Sequence, residues 1–223
     1  MIEEAALNNA AWCDALCRAH GLPGAFTPRA WTNPRRTPPY YPDAVTLSPE
    51  ATDADILPFI DDTPGASVKD SFAALTLPGF ELLFEATWLH AGPDARQGTA
   101  HDNRWRVVRD AETLRAWEEA WGGQGGLFTA ALLGDPSVKL LWAEEGTASG
   151  FVLNETPGGR TVGVSNVFGD DAWPHVRTQA AALFPGRDLV GYEIDPAPAA
   201  EHGFTPLGPL RVWLKKTRGA PTA

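Results

Sequence analysis

Four small groups of residues in this 223-residue chain carry side chains able to do chemistry. Cys13, Cys17 and His20 stand at i, i+4 and i+7 of a predicted helix, a row of soft metal ligands. The row offers three ligands where a closed site takes four. The same residues, with Leu16, also read as a small apolar helix face ending in a histidine where a cation is favoured. No metal is expected, and the thiols, badly placed on one helix for a disulfide, read as free. Ser165 and Asn166 lie late in an apolar run, where they either satisfy local backbone or face a ligand. Tyr192 and Glu193 are adjacent proton-transfer groups in a second run, on opposite faces if it is a strand. Finally, Phe168 to Pro174 holds Gly169, Asp170 and Asp171 just ahead of a predicted helix, and either aspartate can cap it.

Several chemistries are excluded. Gly163 to Val167 lacks the second glycine of a nucleophile elbow, so Ser165 is not expected to be a hydrolase serine. Gly122 to Gly126 follows a helix and precedes no Lys-Ser/Thr pair, so it is not a phosphate-binding P-loop. No His-Glu-x-x-His or paired Cys-x-x-Cys occurs. His90, His101 and His202 lie near turns without ligand spacing, and His175 reads as a surface residue at a helix start.

A formal charge of −10 and a pI near 4.9 disfavour nucleic-acid and anionic-membrane partners, because no basic field would offset phosphate repulsion. The basic spots, Arg35-Arg36 and Lys215-Lys216 with Arg218, are too short to reverse that. The acidic start, Met1-Ile-Glu-Glu, has neither a basic leader nor an apolar h-region. No apolar run approaches the ~20 residues of a membrane span. A cytoplasmic protein is expected. An apolar fraction of 43% over this length is enough for a real core, and most of the nine tryptophans should be spent on it.

The elements that must position these groups are strongest near the carboxyl end. Strands are expected at Val138–Ala143, Gly150–Leu153, Thr161–Phe168, Asp188–Ile194 and, after Gly203-Phe204, Pro209–Leu214, with a helix from Trp173 to Phe184 and a shorter one before Gly203. Upstream, Trp105–Arg109 reads as a strand. Asp110 caps a helix whose Leu114, Trp117 and Trp121 form one stripe, ended at Gly122. Residues 91–104 lose all periodicity and read as a linker.

The first hundred residues predict a helix from Glu3 to Ala19 stopped by Gly21, then Pro-punctuated extended chain to residue 42, and a strand at Asp43–Leu47. A helix starting at Ser48-Pro49 and strands at Phe72–Leu77 and Phe80–Leu89 complete this part. Gly79-Phe80 and Gly203-Phe204 each lead into a strand ending Trp-Leu, a hint of duplication.

This order of elements, with the closing Gly203-Phe-x-x-x-Gly-Pro-Leu-Arg-Val-Trp-Leu214 strand, resembles the GNAT superfamily of acyl-CoA-dependent N-acyltransferases over residues 105–215. The resemblance implies an α+β fold with a mixed, mostly antiparallel sheet and flanking helices. The GNAT-like unit would span 105–218, and residues 1–100 would form an N-terminal α/β unit, a possible decayed half-repeat. It further implies that strands 161–168 and 188–194 diverge and that acetyl-CoA or another acyl-CoA lies in the opening. Ser165, Asn166, Val167, Phe168, Gly169, Trp173 and Arg177 would then bind the cosubstrate. Tyr192 would give a proton to the departing thiolate or Glu193 would act as base through water. The family's pyrophosphate loop, Arg/Gln-x-x-Gly-x-Gly/Ala, is here Phe168-Gly-Asp-Asp-Ala-Trp-Pro174. Its carboxylates would repel a diphosphate by about 1–4 kcal/mol per close pair, and Arg160, Arg177 or Arg187 would have to compensate. The implied partner is a small-molecule or peptide amine. The alternative is a non-catalytic small-ligand module on the same fold, with a cleft of Trp31, Tyr40, Tyr41 and Trp173. A homodimer completing the sheet is a third expectation.

Overall fold

The structure is a computed structural model that describes residues 1–93, 104–144, 148–156 and 158–216. Helix α1 (Ile2–Ala19) comes first, followed by short strands β1 (Ala25–Phe26), β2 (Ala30–Thr32), β3 (Ala44–Thr46) and β4 (Ser67–Asp70) and the long β5 (Phe80–Ala91). Then come β6 (Arg106–Val107), α2 (Ala111–Trp121), β7 (Val138–Ala143), β8 (Ser149–Glu155) and β9 (Thr161–Phe168). The chain closes with α3 (Ala172–Leu183), β10 (Asp188–Glu193), α4 (Ala197–Glu201) and β11 (Thr205–Lys215). Among the described residues no helix is long and apolar enough to cross a membrane.

All the strands join one sheet in the order β1-β2-β3-β4-β11-β5-β10-β9-β8-β7-β6. Only β3–β4 and β9–β10 run parallel among the described pairs. The order is nearly palindromic: β1-β2-β3-β4-β11 on one side answers β7-β8-β9-β10-β5 on the other. Each half lends its last strand to the other. Thus β5 pairs with β10, β11 pairs with β4, and the two cross antiparallel at the centre from Phe80↔Lys215 to Thr205↔His90. Residues before and after the expected linker therefore interleave in a single sheet. Residues 94–103 of that linker, with His101, and Arg218 lie outside the described residues.

Side-chain alternation divides the core between two faces. Leu140, Trp142 and Val152 meet α1 and α2 through Leu16, Leu114 and Trp117. Their neighbours Leu141, Phe151 and Leu153 meet α3 and α4 through Val176, Ala180 and Ala199. Helix α2 is held at both ends. The Asp110 carboxylate accepts from the amides of Glu112 (3.1 Å) and Thr113 (2.8 Å), and Gly122 closes the helix at φ 80°. Helix α1 lies close on the sheet because its inward residues are mostly small. Asn8 donates to the Asn154 carbonyl (3.0 Å) and to Thr156 Oγ1 (2.8 Å), and a Cβ at Gly163 would strike both Asn8 and Asn154.

Two expectations for the first hundred residues fail. The helix from Ser48-Pro49 is only a pair of 3-10 turns, Asp53–Asp55 and Leu57–Phe59. Pro58 falls inside the second turn, and Thr52 and Asp55 bond each other in a tight capping box instead of propagating a helix. Phe72–Leu77 is not a strand. The Asp70 carboxylate takes the amides of Phe72 (3.3 Å) and Leu75 (2.8 Å), satisfying that backbone locally and leaving the ladder position to Ser67–Asp70.

Candidate active site

Strands β9 and β10 are paired from Thr161/Asp188 to Val164/Gly191 and no further. Beyond that point β9 stays with β8, through Val152↔Ser165 and Gly150↔Phe168, and β10 stays with β5, through Tyr192↔Trp88 and Glu193↔Thr87. The ladder between β8 and β9 slips by one residue there. Asn166, in the left-handed region (φ 52°), lies at this irregularity. The bulge turns β9 from its parallel partner, and α3 begins four residues after its end.

The mouth of this opening holds a cavity of about 250 Å³ on the α1 face. Ser165, Asn166 and Val167 line it from β9, and Tyr192 and Glu193 from β10, so five residues expected of the acyl-CoA site meet there, together with Tyr40 and Tyr41 of the alternative cleft. Its remaining wall comes from elsewhere: Asn9, Trp12 and Cys13 on α1, Trp121 on α2, Tyr40-Tyr41-Pro42, and Lys69 on β4. The loop carrying the tyrosines is tied down by Asp43. That carboxylate accepts from the Thr37 amide (2.9 Å), the Ser67 amide (2.9 Å) and Arg36 (2.8 Å). Tyr40, at φ 70°, packs edge-on against Trp121 with ring centroids 5.7 Å apart.

Burial, with a smaller push from Asp195, raises the Glu193 carboxyl to about 7. Lys69 is buried and donates to Asn9 Oδ1 (2.8 Å) and Tyr192 Oη (3.0 Å). An ammonium has no lone pair, so the Tyr192 oxygen accepts from Lys69 and its own proton points elsewhere. The Ser165 hydroxyl and the Tyr41 hydroxyl are sealed from solvent without a partner in hydrogen-bond geometry; Asn166 and Trp12 are polar neighbours of Tyr41. Burial keeps the Tyr41 phenol neutral and lifts the Cys13 thiol to about 11 and Cys17 to about 12, so neither cysteine is a thiolate at neutral pH. His20 Nε2 is 2.7 Å from the Leu127 carbonyl oxygen.

Four of the other sequence-predicted residues lie apart from the cavity wall. Phe168 packs edge-on against Trp117, centroids 5.1 Å apart, and Gly169 (φ 79°) leaves no room for a Cβ against Ser149. Trp173 packs against Phe204 on the α3 face, and Arg177 reaches the Gly92 carbonyl at 3.5 Å. Of the four residues expected in an aromatic cleft, Tyr40 and Tyr41 line the cavity, whereas Trp31 is fully buried and donates to Asp14 (3.0 Å) and Trp173 packs on the other face. Arg187 bonds Glu155 and the Gly159 carbonyl. The cation nearest in role to the expected compensation is Arg104, 3.5 Å from Asp171. Asp170 and Asp171 themselves are exposed and do not plug the opening.

The solved structures place this architecture. A crystal structure of a protein assigned to the GNAT family from Novosphingobium aromaticivorans superposes with a TM-score of 0.58, covering 95% of this chain and 99% of that one at 12% identity. The chain has the GNAT fold. A GCN5-related N-acetyltransferase from Kribbella flavida matches with a TM-score of 0.57, covering 96% of each chain at 12% identity. No protein-family model matches the sequence, and no curated protein does. The GNAT likeness extends beyond residues 105–215, where the sequence resemblance was confined, to nearly the whole chain.

Lys69 is the main residue that sequence reasoning missed. Its signal was a lysine inside Ser67-Val-Lys-Asp70, a short segment whose strand character was itself unread.

Proposed function

We propose that this protein is an N-acyltransferase that moves an acyl group from an acyl-CoA to a small amine in the cavity between β9 and β10. The reading rests on one observation: the parallel pair ends at Val164/Gly191, and both proton-transfer groups, Tyr192 and Glu193, sit at the resulting mouth. The unpaired edges of Ser165–Phe168 and Tyr192–Glu193 offer backbone donors and acceptors to the amide-bearing arm of the cosubstrate. Amides on the β9 edge are suited to the thioester carbonyl as negative charge develops on its oxygen.

In this scheme Glu193 takes the proton of the acceptor amine. A carboxyl titrating at about 7 can accept it near neutrality and release it afterwards. The nitrogen–carbon bond forms as the carbon–sulfur bond breaks. Tyr192 gives its proton to the departing sulfur while the Lys69 ammonium steadies the phenolate left behind. The proton held by Glu193 returns to Tyr192 through solvent, leaving an amide and free CoA thiol.

The palindromic strand order supports reading residues 1–100 as a degenerate copy of the unit at 105–218. A second reading, a non-catalytic ligand module, is favoured by Asp170 and Asp171 at the start of α3, where a diphosphate would be repelled. Thermal unfolding with acetyl-CoA and longer acyl-CoAs separates the two. A transferase is stabilised by roughly 2.7 kcal/mol at a hundredfold excess over Kd and releases CoA thiol with amines. No stabilisation at millimolar acyl-CoA contradicts the transferase.

A further inference from the structure

Lys69 is an unusual cation. It is 4% exposed, yet no carboxylate pairs with it among the described residues. Lys215 and Lys216, by contrast, pair with Asp62 and Glu81. A buried ammonium without an anion is costly. Its three protons meet two hydrogen-bond acceptors, Asn9 Oδ1 and Tyr192 Oη, and the ammonium also lies 4.2 Å from the centre of the Tyr192 ring, a neutral contact that supplies no anion. Lys69 is also one of the residues that line the cavity.

Two further polar groups lie there: the buried Ser165 hydroxyl, without a partner in hydrogen-bond geometry, and the hydroxyl of Tyr41, a residue 8% exposed, whose polar neighbours are Asn166 and Trp12. Among the described residues Glu193 is the only carboxylate lining the cavity. The lining thus carries one positive and one negative group, and Trp12, Tyr41 and Trp121 provide an aromatic surface between elements. A volume of about 250 Å³ admits one small molecule.

We propose that the acceptor is a free amino acid with an apolar or aromatic side chain. Lys69, helped by the Tyr41 and Ser165 hydroxyls, takes its carboxylate, and Glu193 faces its amine. This names the substrate class of the acyl-transfer reading and rests on it. A simple amine leaves Lys69 unpaired, and an internal peptide segment brings no carboxylate beside its amine. The N-terminal half then has a defined part in selection, because it contributes Lys69 and Tyr41.

The test is binding and turnover of L-phenylalanine, L-tryptophan, L-leucine and L-methionine, each against its own amide, in the wild-type protein and in Lys69→Met. Binding is read by calorimetry without acyl-CoA. At least one free acid should bind tenfold or more tighter than its amide, and Lys69→Met should level that ratio. Should Lys69→Met fail to fold, Lys69→Gln and Tyr41→Phe carry the comparison, the latter with a smaller loss of the ratio. Equal binding of acid and amide, an acid preference that survives loss of Lys69, or no binding of any probe at millimolar concentration overturns the proposal. The two readings fail separately: acetyl-CoA binding without a carboxylate preference removes only the amino-acid acceptor. A carboxylate preference without acetyl-CoA binding removes acyl transfer and leaves a carboxylate site.

Discussion

The sheet contains two parallel junctions with opposite fates. At β9/β10 the strands separate after Val164/Gly191, a twelve-residue helix starts beside the gap, and the Ser165 hydroxyl is left unbonded. At β3/β4 the pairing Ala44↔Val68 and Val45↔Lys69 leads to a sealed end, where Thr46 Oγ1 accepts the Ser71 amide at 2.8 Å. The Asp70 carboxylate binds the backbone that follows, and two 3-10 turns stand where the other half has α3. Such short turns build up little of the aligned dipole that a full helix offers an anion. The strand arrangement alone therefore does not make a site. At the closed end a hydroxyl from one strand occupies backbone that follows the other. The closed half acts at a distance, sending Lys69 from β4 into the open half's cavity.

The contrast can be broken most strongly at Glu193. Glu193→Gln should lower kcat/KM by about 10²–10⁴-fold and flatten the pH profile, which in the wild type rises as Glu193 ionises around 7. The same raised pKa has a stability counterpart. Between the unfolded carboxylate range and about 7 the folded state holds the extra proton, so stability should fall as pH rises through that window. Glu193→Gln should remove that slope in urea titrations. Next in size is Gly163→Ala, whose methyl group meets the Asn8–Asn154 contacts that seat α1. A loss of about 1–3 kcal/mol is expected, measured as a lowered denaturant midpoint, with the cavity wall loosened as well.

Thr46→Val tests the seal. It leaves the buried Ser71 amide without its acceptor and should cost roughly 1–3 kcal/mol, without altering acyl-CoA affinity, because the proposed acyl-CoA site lies at the other junction. The smallest effect is expected at the α3 loop. Asp170→Asn should tighten acetyl-CoA binding by several-fold, about 1 kcal/mol, by removing one charge near the phosphates at an exposed, well-screened position. Calorimetry checks it, and weaker binding would place the phosphates elsewhere.

The carboxyl half was legible because its signals are local. Val138–Ala143 and Thr161–Phe168 occupy their expected residues, and Asp110 and Gly122 bracket α2. In the amino half, β1 to β4 are two to four residues long, too short for alternation to show. Their existence depends on pairing: Lys69 joins a strand because Val45 and Val212 flank it. The same logic divides the site. Tyr192 and Glu193 follow from strand periodicity and a resemblance. Lys69, Asn9 and Trp12 come together only through the exchange of β5 and β11 and the seating of α1, which no local pattern encodes. Trp121 extends the α2 stripe as expected but is only half-buried, since it ends as cavity wall.

The most direct test of an acyl-CoA site between β9 and β10 is amide hydrogen exchange with and without acetyl-CoA. Protection should rise in Ser165–Phe168 and Tyr192–Glu193 and in the loop entering α3, with Thr46 to Ser71 unchanged. Equal exchange rates in those segments at saturating acetyl-CoA, or protection appearing only in the amino half, would contradict it.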